Sequence, residues 1–292
     1  MTIGSLMEGG FRMFRERPGA MLIWTLIQLA ATIATGFAMM AIMQGNISAL
    51  MGGESIESVQ ASSTLQSLLV TLGGLVVSTF IYAAVQRAVI RPDEGGPGWL
   101  RFSMDEVRLF LLMMLYLLIF VVALVIAGVV VGLFLGAAGA GVLAVVLMVV
   151  SFVAGAFFAT RVSLTFPLTL KEGAFAIGDG WRLTHGRFWT LLGTYLIIFL
   201  ILLVLGIVNM AVTQPEYLSA IFQHGFTAFE TQQAAAVQYQ KLMVGEIDAQ
   251  IIIGWVLTAI QGVVGYALYG GAVATAVQQL TADEAGLSET FS

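Results

Sequence analysis

The sequence predicts an all-α polytopic membrane protein: six transmembrane helices paired as three hairpins, with in-plane amphipathic helices at the cytoplasmic face. Three observations carry that prediction. Of 292 residues, 59% are apolar and only 10% charged, against about 25% charged in a soluble domain. Residues 18–53, 58–86, 109–160, 188–215 and 249–282 contain no Asp, Glu, Lys or Arg. The Lys and Arg residues fall almost entirely into alternate loops.

Each uncharged stretch is long enough for a helix of ~20 apolar residues to cross a hydrocarbon core of about 30 Å. The stretch 109–160 fits two crossings, turning at Gly136-Ala137-Ala138-Gly139-Ala140-Gly141, where small residues favour a reversal. The expected spans are roughly 19–43, 65–90, 109–134, 142–166, 189–212 and 251–280. They are helices because a sheet edge in lipid leaves backbone groups unpaired.

Six alternating spans place Arg12, Arg15, Arg17, Arg87, Arg91, Arg101, Arg108, Arg161, Lys171, Arg182 and Arg187 on the side of the termini, and only Lys241 opposite. This is the positive-inside pattern, so both termini are expected in the cytoplasm, with the chain in a bacterial plasma membrane. The first apolar run is too long for a cleaved signal peptide and is expected to remain as an anchor. Cysteine is absent, which excludes disulfide and thiolate chemistry. A net charge of −5 leaves no footprint for nucleic acid.

The expected layout is one membrane domain over 1–292. An interfacial helix at 1–17 leads into hairpin 18–90, and a second hairpin covers 98–166. A second interfacial helix, 172–187, precedes hairpin 188–280, which carries an external helical loop at 213–250, and 281–292 form a cytoplasmic tail. The first and last hairpins read as copies. Gly10-Phe11-Arg12 through Leu22 aligns with Gly180-Trp181-Arg182 through Leu192, each with a second arginine five residues on, Arg17 and Arg187. Ala84-Val85-Gln86-Arg87 matches Ala276-Val277-Gln278-Gln279, and the pairs Asp93-Glu94 and Asp283-Glu284 follow. The middle hairpin fits more loosely, through Gly98-Trp99 at its entry and Arg161 with Pro167 at its exit. Repeats in one orientation imply an axis along the membrane normal.

Around residues 3–14, Ile3, Leu6, Met7, Gly10, Phe11 and Phe14 share one helical face, with Glu8, Arg12, Arg15 and Glu16 largely opposite. Residues 174–185 repeat the pattern. Such helices lie in the interface, indoles favour the headgroup layer and arginine stems snorkel towards phosphate. Arg12, Arg17, Arg182, Arg187, Trp181 and Trp189 are therefore the candidate lipid- or anion-binding residues; plain topological anchoring is the simpler role for them. His185 and His224 fall on opposite sides, and no metal-ligand spacing, catalytic triad or phosphate loop is present. No metal or cofactor is expected. His224 near Glu216 and Glu230 is the sole faint catalytic grouping.

Deep within the spans lie the amides Gln28, Asn209 and Gln261, which either bond between helices or line a solute path. Arg87 and Arg161, each shortly before a proline, join Gln28 and Gln261 as candidate cavity-lining residues. Gly128, Gly132 and Gly136, with Gly262, Gly265, Gly270 and Gly271, mark close helix seams within or between chains.

The run Arg161-Val162-Ser163-Leu164-Thr165-Phe166-Pro167-Leu168, Glu172-Gly173-Ala174, and Gly180-Trp181-Arg182-Leu183-Thr184-His185-Gly186-Arg187-Phe188-Trp189 resembles the membrane domain attached to some glycerophosphoryl diester phosphodiesterases, which also occurs as free-standing bacterial proteins. The resemblance implies the six-span layout. It does not extend to the soluble phosphodiesterase barrel, so that activity is not expected. The expected function is a non-enzymatic integral membrane protein that organises lipids or partner proteins, a second copy of itself included. The alternative is a transporter or channel for a small or lipidic solute.

Overall fold

The computed structural model describes residues 1–135, 140–225 and 228–291, with side chains at all of these except 130–135, 140–145, 235, 238, 239, 242, 243 and 283–291. Residues 136–139 of the expected turn, Gly136 of the ladder among them, lie outside the described residues, and the side chains of Asp283 and Glu284 are not described. Among the described residues the chain is all-α, without a strand. Six helices are long and apolar enough to cross a membrane. The protein is a multi-pass integral membrane protein.

The crossing helices are α2 (Pro18–Met51), α3 (Ile56–Ile90), α4 (Met104–Leu135), α5 (Ala140–Val162), α8 (Phe188–Thr213) and α11 (Ala249–Phe291). Shorter helices are α1 (Ile3–Glu16), α6 (Thr165–Glu172), α7 (Ile177–Leu183), α9 (Pro215–His224) and α10 (Phe229–Met243). Local chemistry sets the breaks. Thr2 caps α1 through a reciprocal pair with Ser5, satisfying donors that a helix start leaves free. The residue before a proline disfavours helical backbone, so α1 ends at Arg17 and α2 restarts at Pro18. Pro215 opens α9 in the same way, and α6 stops at Gly173, whose φ of 67° is left-handed.

Several bounds differ from the sequence expectation. The first external loop, expected over 44–64, contracts to residues 52–55 because α2 and α3 continue through it. The interfacial helix expected over 172–187 is only α7, flanked by turns. The helix α11 runs on to Phe291, through the expected tail. The facing ends of α2 and α3 contain no proline, and the single glycine there, Gly45 of α2, lowers helix propensity without ending the helix, which runs to Met51 before Gly52 and Gly53.

The chain divides into two compact units. Unit 1 comprises residues 1–17, 82–197 and 267–292. Its core holds Ala83, Leu109, Leu112 and Leu170, with Ile90, Tyr116 and Phe166 against them. Three hydrogen bonds close a ring around the ends of the even-numbered spans. Gln278 Nε2 of α11 donates to Val89 O of α3 (2.7 Å), Arg91 Nη2 beyond α3 donates to Leu170 O of α6 (2.6 Å), and Lys171 Nζ of α6 donates to Thr281 Oγ1 of α11 (2.6 Å).

Each hairpin entry in unit 1 also seats on the exit of another span. A Cβ on Gly271 of α11 would lie 2.9 Å from Gly10 Cα of α1, and one on Gly180 of α7 would lie 2.9 Å from Thr165 Cα. Gly10 and Gly180 are the aligned glycines of the two sequence copies, and both are glycine for the same reason: backbone packs where a side chain would stand. The middle entry is a 3₁₀ turn, Pro97–Trp99, held by Arg87 of α3.

Unit 2 comprises residues 18–81 and 198–266. Trp24, Ala259 and Val263 are buried in it, the Phe37 ring meets Trp255 at 5.7 Å, and Tyr266 Oη donates to Ser78 Oγ (2.8 Å). The external segment forms two helices, α9 and α10, and the Lys241–Asp248 ion pair (2.6 Å) ties the end of α10 to the start of α11.

Candidate functional site at the span exits

The guanidinium and indole groups singled out in the sequence fall into three kinds of place. Arg87 is enclosed. Its side chain and that of Glu106 are 1% and 3% exposed and ion-paired, and Nη1 donates to Trp99 O at 2.7 Å. Glu106 also accepts from Ser103 N (2.9 Å) and Ser103 Oγ (2.6 Å) at the start of α4. Arg87 therefore builds the middle entry turn and lines none of the cavities described here.

That turn is conformationally demanding. Gly98 has φ 64° and Trp99 φ 55°; a bulky residue in the left-handed region is costly and persists only when its surroundings over-determine it. Here Arg87 grips the Trp99 carbonyl while Trp99 Nε1 donates to Pro92 O (3.2 Å). The result is an indole face presented to Arg17, whose guanidinium carbon lies 4.0 Å from the ring centroid. Arg17 Nη1 is shielded and has no partner within the protein. Burial draws the Arg17 pKa down, while neighbouring Glu16 opposes that shift; an arginine keeps its proton all the same.

Arg161 occupies a second aromatic seat. Its guanidinium carbon lies 5.4, 5.5 and 6.0 Å from the rings of Phe157, Trp181 and Phe188. Nη1 reaches Thr184 Oγ1 at 3.4 Å, and Nε is buried without a partner. A cation over an aromatic face gains ~0.5–2 kcal/mol and keeps its N–H edge available for an acceptor.

The remaining cations are surface groups. Arg12 pairs with Glu16 (3.6 Å) and Arg182 with Asp179 (3.3 Å). Arg187 is exposed beside Gly186. Trp189 is 78% exposed, its ring 5.2 Å from Phe188. Gln28 and Gln261 belong to unit 2, where Gln261 Nε2 donates to Leu202 O (3.2 Å). His224, Glu216 and Glu230 do line one open groove, between α9 and the start of α10.

Trp99 and Glu106 were not among the sequence candidates. Glu106 carried a readable signal: Ser103-Met104-Asp105-Glu106 has the spacing of a helix-start capping box. Among the described residues no group of three or more His, Asp and Glu could hold a metal ion. The site offers hydrogen-bond donors and positive charge to an anion. Comparison with protein-family models, curated proteins and solved structures found no match.

Proposed function

We propose that the protein is a non-enzymatic component of a bacterial plasma membrane, with both termini cytoplasmic, that holds anionic lipid headgroups at the ring of span exits. The observation that supports this most is Arg17: its charge rests on Trp99 at 4.0 Å while Nη1 is left without a protein acceptor. A buried donor with no partner costs ~1–3 kcal/mol, and a phosphate oxygen at the interface removes that cost. Arg161 repeats the arrangement on Trp181. Exposed Arg12, Arg182, Arg187 and Trp189 surround these seats with the charge and indole groups that favour an anionic leaflet. The resemblance of the Arg161–Trp189 run to a phosphodiesterase-linked membrane domain accords with a role at lipid headgroups.

The test is native mass spectrometry of protein released from nanodiscs of mixed phosphatidylglycerol and phosphatidylcholine. Wild type is expected to retain phosphatidylglycerol selectively, and Arg17→Gln with Arg161→Gln to lose that selectivity. Equal retention of the two lipids by wild type would refute the proposal.

A further inference from the structure

We infer that unit 2 contains a polar cleft, entered from the face that carries α9 and α10, that reaches down α11 to Gln28 and takes a solute bearing an ammonium group. This goes beyond lipid binding at the span exits and shares no residue with it.

The mouth is a cavity of ≈ 80 Å³ lined by Thr213, Gln214, Glu216, Tyr217, Lys241 and Asp248, among others. That is room for a few waters or one small charged group. Below it, polar side chains continue along the helices. Thr213 lines the cavity and donates to Asn209 O one turn deeper (2.8 Å). Asn209 Nδ2 donates to Thr258 Oγ1 of α11 (3.3 Å). About one turn further along α11 comes Gln261, bonded to Leu202 O, and a Cβ on Gly206 would meet its Nε2 at 3.3 Å. The neighbouring Gly262 faces Gln28, its built Cβ lying 3.7 Å from Gln28 Cγ. From Gln250 to Gly262 the polar residues of α11 descend about 18 Å at 1.5 Å per residue, more than half the hydrocarbon thickness.

Amides between membrane helices ordinarily serve as interhelical bonds. That explanation needs both ends of each amide to be used. Here Asn209 Oδ1 and Gln28 Oε1 are buried and without partners. Both are acceptors, so the missing partner is a donor. Charge at the mouth agrees: Lys241 is engaged by Asp248 at 2.6 Å, which leaves the Glu216 carboxylate as the excess charge of the lining. Unpaired acceptors below a carboxylate select a cation that donates hydrogen bonds, and an alkylammonium is the simplest.

The absence of cysteine makes the test direct. Single variants Thr213→Cys, Thr258→Cys, Gln261→Cys and Gln28→Cys in proteoliposomes are treated with a membrane-impermeant thiol reagent from the α9–α10 side. Leu203→Cys and Val204→Cys, on the exposed apolar face of α8, are the controls. Labelling is expected to slow from Thr213 to Gln28 yet to exceed the controls by about tenfold throughout, because hydrocarbon holds no water to carry the reagent. Ethylammonium is expected to suppress labelling at Gln261 and Gln28, and Glu216→Gln to weaken that protection severalfold. Should Gln28→Cys fail to fold, Thr32→Cys, one turn nearer the mouth on α2, replaces it. Control-level labelling below Thr213 would overturn the cleft; labelling untouched by ethylammonium would overturn the ammonium assignment.

Discussion

Arg87 at the end of α3 and Glu106 in the first turn of α4 form an ion pair almost wholly withdrawn from solvent. Removing two charges from water costs several kcal/mol each, offset only where the geometry is good and the remaining donors and acceptors are bonded. Both conditions hold: Trp99 O takes one guanidinium N–H, and Ser103 supplies two bonds to the carboxylate. Truncating one partner, as in Glu106→Ala, is therefore expected to destabilise the protein by about 3–5 kcal/mol. The double replacement Arg87→Met with Glu106→Leu should recover most of that loss while freeing the Trp99 carbonyl. Unfolding in detergent with increasing SDS measures both. A single-variant loss no larger than that of Arg12→Ala, from an exposed pair, would contradict the buried network.

The spans were legible because lipid leaves little freedom: uncharged length alone locates the six long apolar helices. Gly10 and Gly180, aligned in the sequence, both stand where a Cβ would meet backbone of another helix, Leu268 O at 2.7 Å and Thr165 Cα at 2.9 Å. What the apolar pattern could not show is the fate of each arginine. Arg87 and Arg161 look alike in sequence, each a few residues before a proline. Only the folded chain sets Glu106 against the first and three aromatic rings around the second. The extent of α2, α3 and α11 was also hidden, since hydropathy marks where a helix leaves the bilayer and not where it ends.

Gly10 of α1 and Gly271 of α11 yield a packing prediction. A Cβ at Gly10 would lie 2.7 Å from Leu268 O, which is backbone and cannot step aside. Gly10→Ala is expected to cost ~1–3 kcal/mol by overpacking and to lift α1 from its seat, so that its backbone frays and trypsin can cut after Arg12, Arg15 and Arg17. Gly19 has no neighbour within 4 Å of a built Cβ, so Gly19→Ala should be neutral or stabilise by ~0.4–1 kcal/mol. Equal protease resistance in the two variants would contradict the contact.

The Lys241–Asp248 pair sets a pH range for the segment between α10 and α11. The Lys241 ammonium, hydrogen-bonded to Asp248, holds that carboxyl below its ordinary 3.8. The same bond raises Lys241 above its ordinary 10.5. For the depressed acid, stabilisation is present above 3.8 and is lost as pH falls through the lower folded value. For the raised base it is complete below 10.5 and is lost as pH climbs through the higher folded value. The difference in hydrogen exchange between wild type and Lys241→Met across residues 244–251 should thus stay constant from about pH 5 to 9. It should close on acidification below 3.8. A difference that vanished already near pH 6 would assign the ordering to another group.

Topology gives the last prediction. The six-crossing arrangement expected from the sequence, with eleven of the twelve Lys and Arg residues on the side of the termini, predicts that residues 52–55 and Gly225 share the opposite face. With no native cysteine to interfere, Gly53→Cys and Gly225→Cys should react with an impermeant thiol reagent added outside intact cells. Both glycines sit at helix ends with φ of 88° and 84° and open space around a built Cβ, so access is not limited by packing, though the backbone strain will lower expression. Ser55→Cys, free of that strain, is the companion variant. Gly95→Cys, in the loop between α3 and α4, should react only after the membrane is permeabilised. Reaction of Gly95→Cys in intact cells, with protection of Ser55→Cys, would invert the orientation and move the arginine seats to the outer leaflet.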